Sequence, residues 1–272
     1  MIELVYSNGC SHVAGGGLEL SRVLDTDTSI LVKNVYYEKY GVEWKNQNEV
    51  TFIKKLADKL KCKSVNEATS GGGSSRVIRM AYDFVKNNWD KRDKIFMFLE
   101  FPSFFTRIEI YSNVLKDYLI VNQNFDENQK RVFLYATRSY FNNNNLKDFD
   151  IINKNKELEI YLENFISLNE EENKIIREIE MLLTFLLANN IKFIWCEGSK
   201  TIQNKINSNL LKYELKIDSP IGLQNDFHGW IIGSKLSIKD ELENKTTDLH
   251  PGYFGHQKFA DFLFDYINKN YE

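Results

Sequence analysis

Residues 2–17 read IELVYSNGCSHVAGGG, and the reading of this stretch decides the fold. Ile2, Leu4 and Val5 form a short apolar run that reads as a buried strand. The chain then breaks at Ser7-Asn8-Gly9-Cys10-Ser11-His12, with glycines at 15, 16 and 17. A strand that stops abruptly in small and polar residues delivers one side chain, here Ser11, to the carboxyl edge of a sheet. Open α/β sheets keep their sites at that edge. The bland alternative is a βα loop softened by glycine and carrying no chemistry.

Two further strand–loop junctions follow. A short strand at about 63–68 ends in NEATSGGGSS (66–75), and Val77, Ile78, Ala81, Phe84 and Val85 then supply the apolar face of a helix. Ser74 or Ser75 is placed to cap that helix. Glycines ahead of a helix present backbone N–H groups to a phosphate or a developing oxyanion. No Gly-Lys-Ser/Thr follows, so a P-loop is excluded, and a plain flexible loop is the competing reading. The third junction is IFMFLEF (95–101), a continuous apolar run that reads as a buried strand and stops at Pro102-Ser103.

Val50, Phe52, Ile53, Leu56, Ala57 and Leu60 recur at helical spacing. KIIREIEMLLTFLLA (174–188) predicts a long helix, and IKFIWC (191–196) a further strand. Repeated alternation of helix and strand predicts an α/β fold, a mostly parallel sheet with helices on both faces. Arg107, Glu109 and Tyr111 alternate with Ile108 and Ile110, which predicts a short extended piece whose Arg and Glu pair with each other. The Asn-, Lys- and Glu-rich stretch at about 122–172 reads as a helical insertion or lid within one domain spanning 1–272, and 197–247 as irregular. Phe259, Ala260, Leu263, Tyr266 and Ile267 mark a final helix, preceded by a loop with Asp248, His250, Pro251, Gly255 and His256.

With 43% hydrophobic and 27% charged residues, the 272-residue chain has the composition of a globular protein with a sizeable core. A formal net charge of −3 offers no electrostatic case for nucleic acid or an anionic membrane surface, so neither is expected as a partner. The three cysteines, Cys10, Cys62 and Cys196, form no Cys-x-x-Cys pair, which argues against a zinc knuckle or a disulfide framework. No leader-like start or membrane-length apolar run occurs, so the expected location is cytoplasmic. Asp248, His250 and His256 lack a fourth ligand at suitable spacing, so no metal and no cofactor are expected. Oligomeric state is not readable from the sequence.

Taken together, the three junctions and the Asp–His–Pro loop resemble the SGNH (GDSL-like) hydrolase family over most of the chain, apart from the middle insertion. SNGCSH resembles the first block of that family, which implies Ser11 as nucleophile. NEATSGGGSSRVIR resembles the second, which implies an oxyanion-hole N–H from Gly71 or Gly73 beside that of Ser11. DLHPGYFGHQKFA resembles the last, which implies His250 as base with Asp248 as its acidic partner. The chain departs from the pattern at Cys10, where the name motif has Asp. It departs again at Leu99-Glu100-Phe101-Pro102-Ser103, where Gly-x-Asn-Asp is usual and Ser103 stands in for the Asn donor. The resemblance implies a flavodoxin-like three-layer α/β/α sandwich and a serine esterase, with an acetyl or short acyl ester of a carbohydrate as substrate class and no cofactor.

Other readings stand beside it. The same fold can serve as a catalytically inactive binding or structural module, or as an acyltransferase, and a glycine turn can hold a nucleotide phosphate. His12 reads as a surface residue, Cys10 as pointing inward, and His256 as capping or packing at the last helix. Trp44, Trp195 and Trp230 either floor a sugar cleft or fill the core.

Overall fold

The fold is that of a computed structural model that describes residues 1–16, 18, 32–69, 72–102, 107–112, 117–126, 131–136, 168–198, 205–215, 227–244 and 246–271. Strands β1 (Leu4–Asn8), β2 (Lys63–Asn66), β3 (Ile95–Phe101) and, later in the chain, Lys192–Glu197 form one parallel sheet in the order β2-β1-β3 and then that last strand. Leu4 of β1 is registered between Lys63 and Ile95, and Phe96 of β3 faces Lys192. The apolar runs became strands because they lie inside the sheet. All seven residues of β3 are buried, as a strand covered on both faces requires.

Side chains alternate between the two faces. Tyr6, Met97, Leu99, Phe193 and Trp195 share one cluster with Val77, Ala81 and Phe84 of helix α4 (Ser74–Asn87), and with Ile179, Leu182 and Leu183 of the helix Leu168–Ala188. Val5, Phe96, Phe98, Ile194 and Cys196 pack on the other face against Phe52, Ile53 and Leu56 of α3 (Phe52–Leu60) and against Phe259 and Leu263 of the helix Tyr253–Tyr271. Each large apolar side chain so buried contributes roughly 1.5–3 kcal/mol. The result is the expected α/β/α arrangement. Trp195 is wholly buried in the first face and Trp44 lies in a smaller cluster with Tyr36, so both fill core; Trp230 packs its ring on Phe259.

A second sheet contains the extended piece expected at 107–111 and departs from expectation beyond it. Strands β4 (Arg107–Ser112), β5 (Asp117–Asp126) and β6 (Arg131–Ala136) form an antiparallel meander, so the stretch from 122, expected to be helical, begins in strands. Runs such as YLIV and RVFLY are rich in β-branched and aromatic residues, which fit a pleated surface better than a helix. Residues 137–167 lie outside the described residues. Glu109 of β4 pairs with Arg79 of α4 through two short bonds (2.9 and 2.8 Å), tying the meander to the main domain.

The remaining α-helices among the described residues are α1 (Ser11–Ala14), α2 (Val32–Tyr40), α5 (Leu168–Ala188, introduced above), α6 (Ser208–Leu211), α7 (Phe227–Gly233), α8 (Ile238–Glu241) and α9 (Tyr253–Tyr271), with β7 being Lys192–Glu197. Among the described residues, no helix is long and apolar enough to cross a membrane. The chain leaves β1 toward β2 on one side and later returns to lay β3 on the other, so the switch point of the sheet lies at the carboxyl ends of β1 and β3.

Candidate active site

Ser11 is the first residue of α1, three residues past the end of β1, and therefore sits at that switch point. Its Oγ lies 2.7 Å from Nε2 of His250. Nδ1 of the same imidazole lies 2.6 Å from Oδ1 of Asp248, which also accepts the backbone N–H of His250 at 2.9 Å. Hydroxyl, imidazole and carboxylate thus form one continuous hydrogen-bonded line, although 239 positions separate the Ser from the His.

Local structure places both ends of that line. Gly15 adopts a left-handed conformation (φ 75°) that stops α1 after one turn. Gly16 follows with its N–H on the carbonyl of Ser11 at 2.7 Å, and a Cβ there would come within 3.0 Å of Ser11 Cβ and 3.2 Å of His250 Cδ2. On the histidine side, the carbonyls of Asp248 and His250 accept from Lys239 and Ile238, both at 2.8 Å, and Gly252 N–H bonds Leu236 O. Glu241 then receives the N–H groups of Phe254 and Gly255 at the start of α9 and the hydroxyl of Tyr36 at 2.6 Å. Burial raises its carboxyl above the usual range, and those bonds oppose the rise.

The second junction folds onto the first. Thr69 N–H bonds the carbonyl of Gly9, and Asn66 Nδ2 bonds the carbonyl of Val13, both at 3.2 Å. A Cβ on Gly72 would lie 2.8 Å from Gly9 O, so the two loops touch through backbone. Gly73 is the N-cap of α4, whose first-turn N–H groups have no intrahelical acceptor. Ser74, expected as a cap, instead donates its hydroxyl to Pro102 O at 2.8 Å, because the end of β3 passes directly over it. Gly71 and Ser103 lie outside the described residues.

Glu100, the penultimate residue of β3, is wholly buried. Its Oε2 accepts Cys10 N–H at 2.7 Å, and Cys10 Sγ lies 3.4 Å from Oε1. Burial raises the Glu100 carboxyl well above the usual carboxylate range. Cys10 points inward, as expected, with its side chain toward this group.

His12 differs from its reading as a surface residue. It is half-buried, with Nδ1 3.2 Å from Cys10 Sγ, Nε2 2.8 Å from Nδ1 of His228, and its ring 5.1 Å from that of His250. The one-turn helix carries it inward beside Ser11. His228 escaped sequence reading altogether, since FHGW has no spacing that signals a site. His256 is fully buried, its Nδ1 accepts Phe52 N–H at 3.2 Å at the start of α3, and it takes no part in the Asp248–His250 line.

No protein-family model and no curated protein matches the sequence. Among solved structures, one of a carbohydrate esterase, described as having an active site with divergent catalytic and non-catalytic binding functions, is similar at 10% identity and a TM-score of 0.43. It covers 99% of this chain and 69% of its own. A second, an acetyl xylan esterase from the rumen bacterium Butyrivibrio proteoclasticus, is similar at 12% identity and a TM-score of 0.41, over 98% of this chain and 64% of its own.

Proposed function

We propose that the chain is a serine esterase of SGNH type, a single domain carrying an insertion at about 122–172, that cleaves acetyl or short acyl esters of a carbohydrate. The observation that carries this reading is the unbroken line from Ser11 Oγ through His250 to Asp248 at 2.7 and 2.6 Å. In it, His250 Nε2 takes the hydroxyl proton as Ser11 Oγ attacks the ester carbonyl carbon. Asp248 fixes the tautomer that leaves Nε2 free to accept and stabilises the imidazolium that results. The carbonyl oxygen, now an anion, is met by the N–H of Ser11 and by donors of the turn at Gly71 and Gly73, each worth about 3–4 kcal/mol of transition-state stabilisation.

His250 then returns its proton to the departing sugar oxygen, leaving an acyl-Ser11 ester. Water, deprotonated by His250, attacks that ester and releases the acid. A sugar hydroxyl in place of water would make the same site a transferase. Hydrolysis of p-nitrophenyl acetate by wild type, Ser11→Ala and His250→Ala, each checked for folding, tests the reading. Activity lost in both variants supports it. Equal rates in all three would instead favour a non-catalytic binding module, a reading that the lack of an Asn anywhere in Leu99-Glu100-Phe101-Pro102-Ser103 supports.

A further inference from the structure

We infer that Cys10, His12 and Glu100 form a binding site for a single divalent, borderline-soft cation such as Zn²⁺, which clamps the turn that carries Ser11. The thiol, the imidazole Nδ1 and a carboxylate oxygen of these residues lie within 4.8 Å of one another, close enough for one ion to reach all three. The two shorter separations are 3.2 Å from Cys10 Sγ to His12 Nδ1 and 3.4 Å from Sγ to Glu100 Oε1. Bond lengths of about 2.0–2.3 Å to N, O and S ligands span such gaps with small adjustments.

The surroundings are those of a built site. Glu100 is fully buried, and its hydrogen bonds among the described residues both run to Cys10, from the backbone N–H to Oε2 and from the thiol to Oε1. A buried carboxylate is otherwise paired or bound to metal. Glycines make room for it: a Cβ on Gly9 would lie 2.4 Å from Glu100 Oε2, and one on Gly198 would lie 3.2 Å from Oε1. His12 Nε2 lies 2.8 Å from Nδ1 of His228, and in the tautomer that donates from Nε2–H the Nδ1 lone pair faces the thiol 3.2 Å away.

Charge also balances. A thiolate, a carboxylate and a neutral imidazole around a divalent ion sum to zero in a buried place, with the thiol and carboxyl protons passing to solvent. Cys10 and His12 flank Ser11 in sequence, and Glu100 is the penultimate residue of the neighbouring strand β3. One ion would therefore fix both neighbours of Ser11 to the sheet. The inference rests on the fold and these contacts, not on the esterase reading.

The test is Co²⁺ titration of chelator-treated, reduced protein, followed by the thiolate-to-cobalt charge-transfer band, for wild type, Cys10→Ser, Cys62→Ser, His12→Ala, Glu100→Gln, His228→Ala and Ser11→Ala. Circular dichroism checks that each is folded. The site predicts one equivalent bound, displaced by Zn²⁺, with the band lost in Cys10→Ser and kept in Cys62→Ser and Ser11→Ala. Affinity should fall by more than about 100-fold in His12→Ala and Glu100→Gln, and by about 10–100-fold in His228→Ala, as for an outer partner. Zn²⁺ should also raise the melting temperature of wild type, which reads the site without any variant. Absence of a charge-transfer band in wild type, or an undiminished band in folded Cys10→Ser, overturns the inference. Ser11→Ala separates the two proposals, since it abolishes esterase activity yet leaves metal binding intact.

Discussion

Replacing His256 with glutamine should make the protein less sensitive to acid. His256 is wholly buried on α9, stacked on Phe52 with ring centroids 5.9 Å apart, and its Nδ1 accepts the Phe52 N–H. Burial, helped by the charge of Lys55, lowers its pKa to about 3. In the unfolded chain the value returns to roughly 6.5. Between those two values the unfolded state holds a proton that the native state does not, so stability falls as pH drops from about 6.5 and levels off below about 3. At about 1.4 kcal/mol per pH unit the whole loss approaches roughly 5 kcal/mol, and roughly 3 kcal/mol of it is complete by pH 4.5.

Glutamine keeps an acceptor for the Phe52 N–H but does not titrate. Urea unfolding of wild type and His256→Gln at pH 7.5 and pH 4.5 measures the effect as a difference of differences, in which the contributions of Glu100 and Glu241 cancel. The wild type should lose roughly 3 kcal/mol more than the variant over that interval. Equal losses in the two proteins would refute the claim that His256 is held neutral by burial.

Other consequences follow from the same contacts. Gly16→Ala would set a methyl 3.0 Å from Ser11 Cβ and 3.2 Å from His250 Cδ2, so a shift of a few tenths of an ångström should lower kcat about tenfold in a folded protein. An unchanged kcat would mean that the Ser11–His250 distance is not what limits turnover. Asp248→Asn should lower kcat on an acetyl ester by about 10³–10⁴-fold with little change in KM, because the imidazole loses its tautomer control. Steady-state kinetics on that variant give the answer directly. Glu241→Ala leaves the Tyr36 hydroxyl and the N–H groups of Phe254 and Gly255 without their acceptor, and should cost about 3 kcal/mol or more in urea unfolding.

What the sequence showed plainly was whatever is encoded locally. IFMFLEF and IKFIWC read as strands because continuous apolar runs satisfy burial on both faces. The periodic apolar positions of α3, α4 and α9 read as helices for the complementary reason. Ser11, Asp248 and His250 were picked out by the chemistry of their neighbours, but their approach depends on the sheet order, which brings the first loop and the last together. The alternation at 107–111 made β4 legible, but β5 and β6 were hidden because from residue 122 they lie in an Asn-rich stretch whose composition resembles a surface helix or loop. The environment of His12 was hidden for a similar reason. His228 is 216 positions away, and a single turn of helix decides that His12 faces inward. Ser74 misled because a helix-start serine normally caps its own helix, whereas here the carbonyl of Pro102 competes for the hydroxyl.

The measurement that bears most directly on the esterase reading is covalent labelling of the intact protein with a fluorophosphonate, followed by mass spectrometry of the adduct. Attack by Ser11 Oγ should expel fluoride and leave a single phosphonyl group on Ser11. The adduct should be absent in Ser11→Ala and form far more slowly in His250→Ala. A protein that stays unlabelled, or that carries the group on Cys10 or another residue, would contradict the assignment of Ser11 as the nucleophile.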